Sequence, residues 1–150
     1  MKKLSTFIIA VISLSSSAFA FGSSDPTVTP AVQAAFQKGF ASATQVNWEQ
    51  KDGLYFARFV FNDVKTEAAY LENGELIAAS KQVTSTQLPI AVTVALNEKF
   101  DGYEIAKNVT EVSYENSTSY YLQISNGKQV IKLKVTAYGD ITVESKQRIS

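Results

Sequence analysis

The chain has 150 residues, with 14 basic and 14 acidic side chains and neither cysteine nor histidine. Without those two residue types, histidine-dependent hydrolase triads, thiol nucleophiles and the usual zinc ligand sets are excluded. The balanced charge and the lack of a basic tract argue against a nucleic-acid partner, because such binding depends on neutralising phosphates.

The first twenty residues have the pattern of a secretory signal peptide. Lys2 and Lys3 form a positive start, the run 4–14 is apolar, and Ala18 and Ala20 place small residues before a cut after Ala20. The alternative is a membrane anchor, but the apolar run is shorter than the roughly 20 residues that cross a bilayer. We therefore predict cleavage, a periplasmic or secreted location, and no stable membrane anchor afterwards.

The remaining chain is long enough to fold around its own core. A domain of this size buries about two-thirds of its unfolded surface, so it can fold without disulfides. We predict a flexible segment over 21–29, a first αβ repeat over 30–84 and a second over 85–150, which together form one compact domain.

The first repeat is predicted to begin with a helix. Thr29 is a suitable N-cap and Pro30 a suitable first helical residue, because proline lacks the N–H that would be left unpaired there. Four apolar residues then recur on one helical face, at positions 32, 35, 36 and 40. Strand-like runs follow over 44–49, 54–61, 65–71 and 75–83, with turns at Asp52-Gly53 and Asn73-Gly74.

The second repeat shows the same order of elements. Thr86 or Gln87 precedes Pro89, and a second apolar stripe lies at positions 92, 95, 96 and 100. The predicted strands cover 110–115, 119–125, 129–136 and 140–145, with turns at Asn126-Gly127 and Tyr138-Gly139.

A direct echo indicates that the two halves are copies. GELIAASKQ over 74–82 matches GDITVESKQ over 139–147 at an offset of 65, whereas the two helical stripes match at an offset of 60. The difference implies five inserted residues between helix and sheet in the second copy. We predict an α+β fold: a tandem repeat of a helix plus a four-stranded antiparallel meander, with the helices on one face of the sheet.

The aromatic spacing resembles that of the bacterial periplasmic PepSY-like family, also described as beta-lactamase-inhibitor-like. The string FASATQVNW over 40–48, Tyr55 with Phe59, and Tyr70 before Gly74 carry the resemblance, although Ala41 stands where the family usually has proline. The resemblance implies a tandem αβ domain with a curved antiparallel sheet, secreted or periplasmic, without known catalytic residues. Related PepSY domains are thought to restrain peptidases.

Alternation along the strands predicts an open sheet face that could bind a protein. Large aromatic side chains beside an arginine suit such a surface, because they offer contact area with little entropy to lose. The alternative is an ordinary solvated sheet face. The residues that we assign to the predicted binding face are Phe56, Arg58, Val60, Ile77, Tyr121, Lys132 and Lys134, and Glu67 and Gln123 lie on the same face.

Other conspicuous residues favour structural roles. Trp48, the single tryptophan, is predicted to anchor the core rather than to stack on a ligand. The carboxylate pairs Glu72/Glu75, Asp101/Glu104 and Glu111/Glu115 lie mostly at predicted turns and lack calcium-loop spacing. Two N-glycosylation patterns begin at Asn108 and Asn116, but so short a pattern assigns no function.

These observations favour an exported, non-catalytic protein-binding domain that inhibits or assists another envelope or secreted protein. We expect no cofactor, no metal and no enzymatic activity. The alternatives are a periplasmic carrier with a small-ligand pocket between sheet and helices, and an enzyme that uses carboxylates or tyrosine.

Overall fold

A computed structural model describes residues 27–149, so the predicted signal peptide over 1–20 lies outside the described part of the chain. The elements are α1 (Pro30–Gly39), β1 (Thr44–Lys51), β2 (Leu54–Phe61), β3 (Val64–Tyr70), β4 (Leu76–Thr84), a 3-10 helix (Ser85–Gln87), α2 (Ile90–Lys99), β5 (Glu104–Ile105), β6 (Asn108–Tyr114), β7 (Ser117–Ser125), β8 (Gln129–Thr136) and β9 (Ile141–Arg148). The predicted α+β class is confirmed.

The strands form an antiparallel sheet of nine strands. Their order is β1-β2-β3-β4-β6-β7-β8-β9, and the short β5 pairs with β7. Within 27–149, no helix is both long enough and apolar enough to cross a membrane.

Contacts within the chain define two compact units. Unit 1 extends to residue 78 and unit 2 begins at residue 79, so the boundary falls inside β4 and before the repeat boundary predicted after residue 84. The prediction that both halves form one compact domain stays a prediction.

Unit 1 begins with α1, whose N-terminus has the predicted cap. The Val32 N–H donates to the Thr29 side-chain oxygen at 3.3 Å, and Pro30 occupies the start of the helix. The helix ends where the Phe40 N–H donates to the Phe36 carbonyl at 2.8 Å. The cap and the proline satisfy or remove N–H groups that have no partner inside the helix.

The strands of unit 1 are joined by tight turns. Asp52 and Gly53 both have positive φ, and so do Asn62 and Asp63 between β2 and β3. Two successive positive φ values are typical of the two-residue hairpin turn that matches the twist of antiparallel strands. The Asn62-Asp63 turn was not predicted because it contains no glycine.

The core of unit 1 lies between α1 and one face of its strands. Val32 and Phe36 from the helix are buried against Tyr55, Ala57 and Phe59 from β2. The Phe36 and Phe59 rings meet edge to face with centroids 5.0 Å apart, a geometry that aromatic quadrupoles favour. Burying side chains of this size contributes roughly 1.5–3 kcal/mol each.

In unit 2, too, a helix packs on strands, with different side chains. Val92 and Leu96 of α2 are buried against Leu122, Ile124 and other apolar residues of β6–β8. Neither Thr86 nor Gln87 caps α2, whose first residue follows Pro89. The Gln87 side-chain oxygen accepts instead from the Thr84 N–H at 2.9 Å, at the start of the 3-10 helix.

One element of unit 2 was not predicted. β5 covers two residues, Glu104 and Ile105, which pair with Ser125 and Ile124 of β7. Two residues are too short for any alternating pattern to reveal a strand.

Candidate functional site

The strands of each unit have one face toward the helix and one face away from it. In unit 1, Tyr55, Ala57 and Phe59 pack in the α1 core, so the alternate residues Phe56 and Arg58 lie on the opposite face. Cross-strand partners share a face, which adds Glu67, opposite Arg58, and Glu49, opposite Phe56. This is the face on which the sequence predicted a binding surface.

Arg58 is the centre of an ionic cluster on that face. Its Nε lies 2.5 Å from Glu67 Oε2, and its Nη1 lies 3.1 Å from Glu49 Oε2. The guanidinium therefore holds a carboxylate from each neighbouring strand, which its fork of N–H donors suits. Two carboxylates on one guanidinium leave the cluster with one net negative charge.

Glu67 is the least exposed member of this cluster. Its side chain is 14% exposed, against 47% for Glu49 and 51% for Arg58, and its Oε1 is buried without a hydrogen-bond partner among the described residues. Burial raises the pKa of Glu67, and the contacts with Arg58 lower it by less. The register of β2 and β3, which are joined by the turn at Asn62 and Asp63, sets Arg58 opposite Glu67.

The apolar residues assigned to this face are more covered than expected. Phe56 is 1% exposed, so the expectation of an exposed aromatic ring there is wrong. Val60 and Ile77 are half-buried, and Arg58 is exposed. Alternation predicts which way a side chain points but not what covers it, which is why the burial of Phe56 was missed.

In unit 2, the face away from α2 carries lysines and tyrosine. Tyr120, Leu122 and Ile124 pack in the core, so Tyr121 and Gln123 lie on the other face. Tyr121 pairs with Lys134 and Gln123 pairs with Lys132 across β7 and β8. The register therefore brings together three residues that the sequence assigned to the binding face: Tyr121, Lys132 and Lys134.

Tyr121 stands out within this group. Its hydroxyl is buried without a hydrogen-bond partner among the described residues, and the Lys134 Nζ lies 5.9 Å from the centre of its ring. Burial, with a smaller contribution from the charge of Glu144, raises the pKa of Tyr121 to about 12. The side chain therefore stays neutral at physiological pH and retains a hydrogen that it can donate.

The other carboxylates that the sequence singled out lie in strands as well as at turns. Glu111 lies in β6, 3.2 Å from Lys81 Nζ, and Glu104 lies in β5 rather than at a turn. Within 27–149, no three acidic side chains come together as metal ligands would. Asn108 and Asn116 of the glycosylation patterns are exposed.

Trp48 faces the helix, as predicted for a core residue. Its ring lies 5.2 Å from that of Phe36, edge to face, and it packs against the α1 core. A stacking role on the opposite face is therefore ruled out in this conformation.

The structure gives little support to the alternative that the chain is a carrier of a small ligand. The described helix–sheet interfaces are filled by side chains such as Val32 and Val92, each 0% exposed. A depression of 460 Å³ in unit 2 is open to solvent and is lined by Ala95, Glu98, Lys99, Gly139, Asp140 and Ile141. An open hollow with so polar a rim differs from the enclosed, apolar pocket that a carrier needs.

Comparison with known proteins gives structural neighbours but no family. No model of a protein family matches the sequence, and no curated protein matches it. Among solved structures, the chain is similar to a BLIP-like protein from Bacteroides fragilis NCTC 9343, with 24% identity, a TM-score of 0.64, and coverage of 80% of this chain and 86% of that one.

Two further structures show the same similarity. A protein from Bacteroides eggerthii DSM 20697, provisionally described as periplasmic, is 24% identical with a TM-score of 0.66, and the match covers 81% of this chain and 89% of that chain. A DUF2874 family protein from Bacteroides ovatus ATCC 8483 is 22% identical with a TM-score of 0.64, over 85% and 89% of the two chains. At these identities the comparison establishes a shared fold.

Proposed function

We propose that this chain is an exported, non-catalytic protein that binds another envelope or secreted protein through the strand faces opposite its helices. The fold is shared with structures described as BLIP-like and as provisionally periplasmic, and the first twenty residues have the pattern of a signal peptide. Membership of the PepSY-like family is part of this proposal.

One observation carries it: in each unit the helix covers one face of the strands, and the other face presents charged and aromatic side chains. In unit 1 this is the Arg58 cluster, and in unit 2 it is Tyr121 with the two lysines. Strands hold such side chains at fixed spacing, so little order has to be created when a partner binds.

The absence of catalysis is part of the same proposal. The chain has no histidine or cysteine, and its buried carboxylate, Glu67, is held by Arg58. One oxygen of this carboxylate, Oε2, is occupied by the Arg58 guanidinium at 2.5 Å, and the chain offers no histidine or cysteine as a partner for proton transfer.

We also propose that the two halves are copies of one unit. A Cβ on Gly74 would lie 2.6 Å from the Ala31 carbonyl oxygen, and one on Gly139 would lie 3.0 Å from that of Ala91. The two glycines are 65 residues apart and the two alanines are 60 residues apart, which are the same offsets as in the repeated sequence. β5 lies where the extra five residues of the second copy were expected.

The test is capture of a partner by the protein expressed from its full coding sequence and purified after export. Arg58→Ala and Tyr121→Ala are each expected to weaken capture by an order of magnitude or more, since central contacts dominate protein interfaces. Lys38→Ala, an exposed change near the end of α1, is the control. Circular dichroism verifies that every variant is folded. Equal capture by all variants would contradict the proposal, as would substrate turnover lost on changing a carboxylate.

A further inference from the structure

Resting on the proposed function, we infer the chemistry of the partner. The face of unit 2 away from α2 binds an extended segment of a partner protein that carries two carboxylates two residues apart, one for Lys132 and one for Lys134. The same face supplies Tyr121 and Gln123 as neighbours of the two lysines.

The spacing of the lysines selects this ligand. Lys132 and Lys134 are alternate residues of β8, so both lie on one face, about 7 Å apart along the strand. Alternate side chains of an extended peptide have the same spacing and also share a face. A Glu-x-Glu segment lying along β8 therefore brings one carboxylate to each ammonium group, whereas adjacent glutamates point to opposite sides.

The two lysines differ in exposure, since Lys132 is exposed and Lys134 is half-buried. Among the described residues, neither lysine forms an ion pair, in contrast to Arg58 and Lys81. Glu144 acts on the pKa of Tyr121, so it lies close enough to offset part of the positive charge. It occupies a register shift of β9, where Lys132 pairs with Ser145 and Leu133 pairs with Val143. Such bulges are frequent beside functional sites.

Tyr121 provides an independent indication of a missing ligand. A buried hydroxyl without a partner is rare in folded proteins, because leaving it unpaired costs free energy. The Lys134 Nζ lies 5.9 Å from the centre of the Tyr121 ring, so a carboxylate bound at Lys134 lies beside this side chain.

The number of cations favours a polypeptide over a phosphate-rich ligand. Recognition of an anionic membrane usually involves clusters of about 4–8 basic residues, and nucleic-acid binding needs a larger basic patch. This face has two lysines and a nearby glutamate. Two point charges with a neutral hydroxyl suit two carboxylates at fixed spacing.

The experiment is NMR titration of the isotope-labelled protein, expressed from its full coding sequence, with synthetic ten-residue peptides at low salt. One peptide carries Glu-x-Glu in a serine and threonine background; the others carry Gln-x-Gln, Lys-x-Lys or adjacent Glu-Glu. The Glu-x-Glu peptide is expected to shift amide signals of residues 121–123, 132–134 and 142–145, and to bind at least about tenfold more tightly than each of the others.

Matched variants locate the contact. Lys132→Gln/Lys134→Gln is expected to lower the affinity about tenfold or more, and Tyr121→Phe about threefold. Lys99→Gln/Lys128→Gln, which changes the net charge equally elsewhere in unit 2, should leave it unchanged. Equal loss in both double variants, equal binding of all peptides, or stronger shifts with polyphosphate or anionic lipid vesicles would overturn the inference.

Capture of a partner by these variants distinguishes failure of the proposed function from failure of this inference. If a captured partner is lost with Arg58→Ala and Tyr121→Ala but retained by Lys132→Gln/Lys134→Gln, the proposed function stands and the acidic partner does not. If no variant affects capture, both fail.

Discussion

At the scale of single residues, Glu67 shows how burial and charge compete. Burial alone would favour a neutral carboxyl, and Arg58 favours the ionised form, but the net effect is a raised pKa. The fold therefore binds the Glu67 proton more tightly than the unfolded chain does. This contribution to stability is fully present below the unfolded pKa of about 4.5 and is lost as the pH rises through the folded pKa.

We predict that Glu67→Gln changes how stability depends on pH. The melting temperature of the wild type should rise relative to that of Glu67→Gln as the pH is lowered from 7 to 5, because glutamine cannot bind the extra proton. Thermal denaturation across this range measures the difference. Glu49→Gln, which removes the exposed carboxylate of the same cluster, is the control for net charge. Parallel curves for wild type and Glu67→Gln would contradict the prediction.

Tyr121 has a different energetic cost, because its buried hydroxyl has no hydrogen-bond partner among the described residues. Tyr121→Phe removes the hydroxyl and keeps the ring, so we expect the free energy of unfolding to rise by about 1 kcal/mol. Urea denaturation gives the value. In Tyr114→Phe, the lost hydroxyl donates to Glu115 at 2.7 Å on the surface, and we expect little change or a slight loss. A clear destabilisation by Tyr121→Phe would mean that its hydroxyl is satisfied.

At the scale of elements, two turns approach a helix closely at a glycine. Gly74 and Gly139 have φ values of +86° and +97°, and an added Cβ would meet the backbone of α1 or α2. Gly127 has a φ of +80° but open space around its Cα. Substituting alanine at each of the three glycines therefore separates the free-energy cost of a left-handed backbone from the cost of a steric clash.

We predict that Gly127→Ala costs about 1 kcal/mol, because the left-handed conformation alone disfavours a side chain there. Gly74→Ala and Gly139→Ala should each cost more than about 2 kcal/mol, since the helix must also move. Denaturant unfolding of the three variants tests this order. If Gly74→Ala and Gly127→Ala lose equal stability, the close approach between turn and helix is not present in solution.

The sequence predicts the elements here well because most of them carry a local signal. Thr29 and Pro30 mark the start of α1, and runs of aromatic and β-branched residues give β2 and β8 their observed bounds. The N-terminus of α2 was less clear because the strongest polar residues before it, Thr86 and Gln87, belong to the 3-10 helix. Local sequence preferences indicate where a helix starts or ends, but they do not show to which of two neighbouring short helices the signal belongs.

At the scale of the whole molecule, the sequence predicts which side chains of the candidate site share a face of the strands, but not which of them are exposed. The register brings Tyr121, Lys132 and Lys134 together as alternation implies, and it joins Arg58 to Glu67. Which side chains remain exposed depends on tertiary packing, and Phe56 became buried although it points away from α1. For the same reason, the sequence does not show that Glu67 Oε1 and the Tyr121 hydroxyl lack hydrogen-bond partners among the described residues.

The function proposed for these faces depends on export, which the N-terminal sequence predicts. When the full coding sequence is expressed in a Gram-negative host, the purified protein should begin at Phe21, and its intact mass should lack residues 1–20. Ala18→Gln/Ala20→Gln should block this processing and keep the chain at the membrane, because the cleavage site requires small residues. Ala10→Leu, which preserves the apolar run, should be cleaved normally. If the chain is found unprocessed in the cytoplasm, partners in the cell envelope are out of its reach, and the proposed function has to be abandoned even if both faces bind as described.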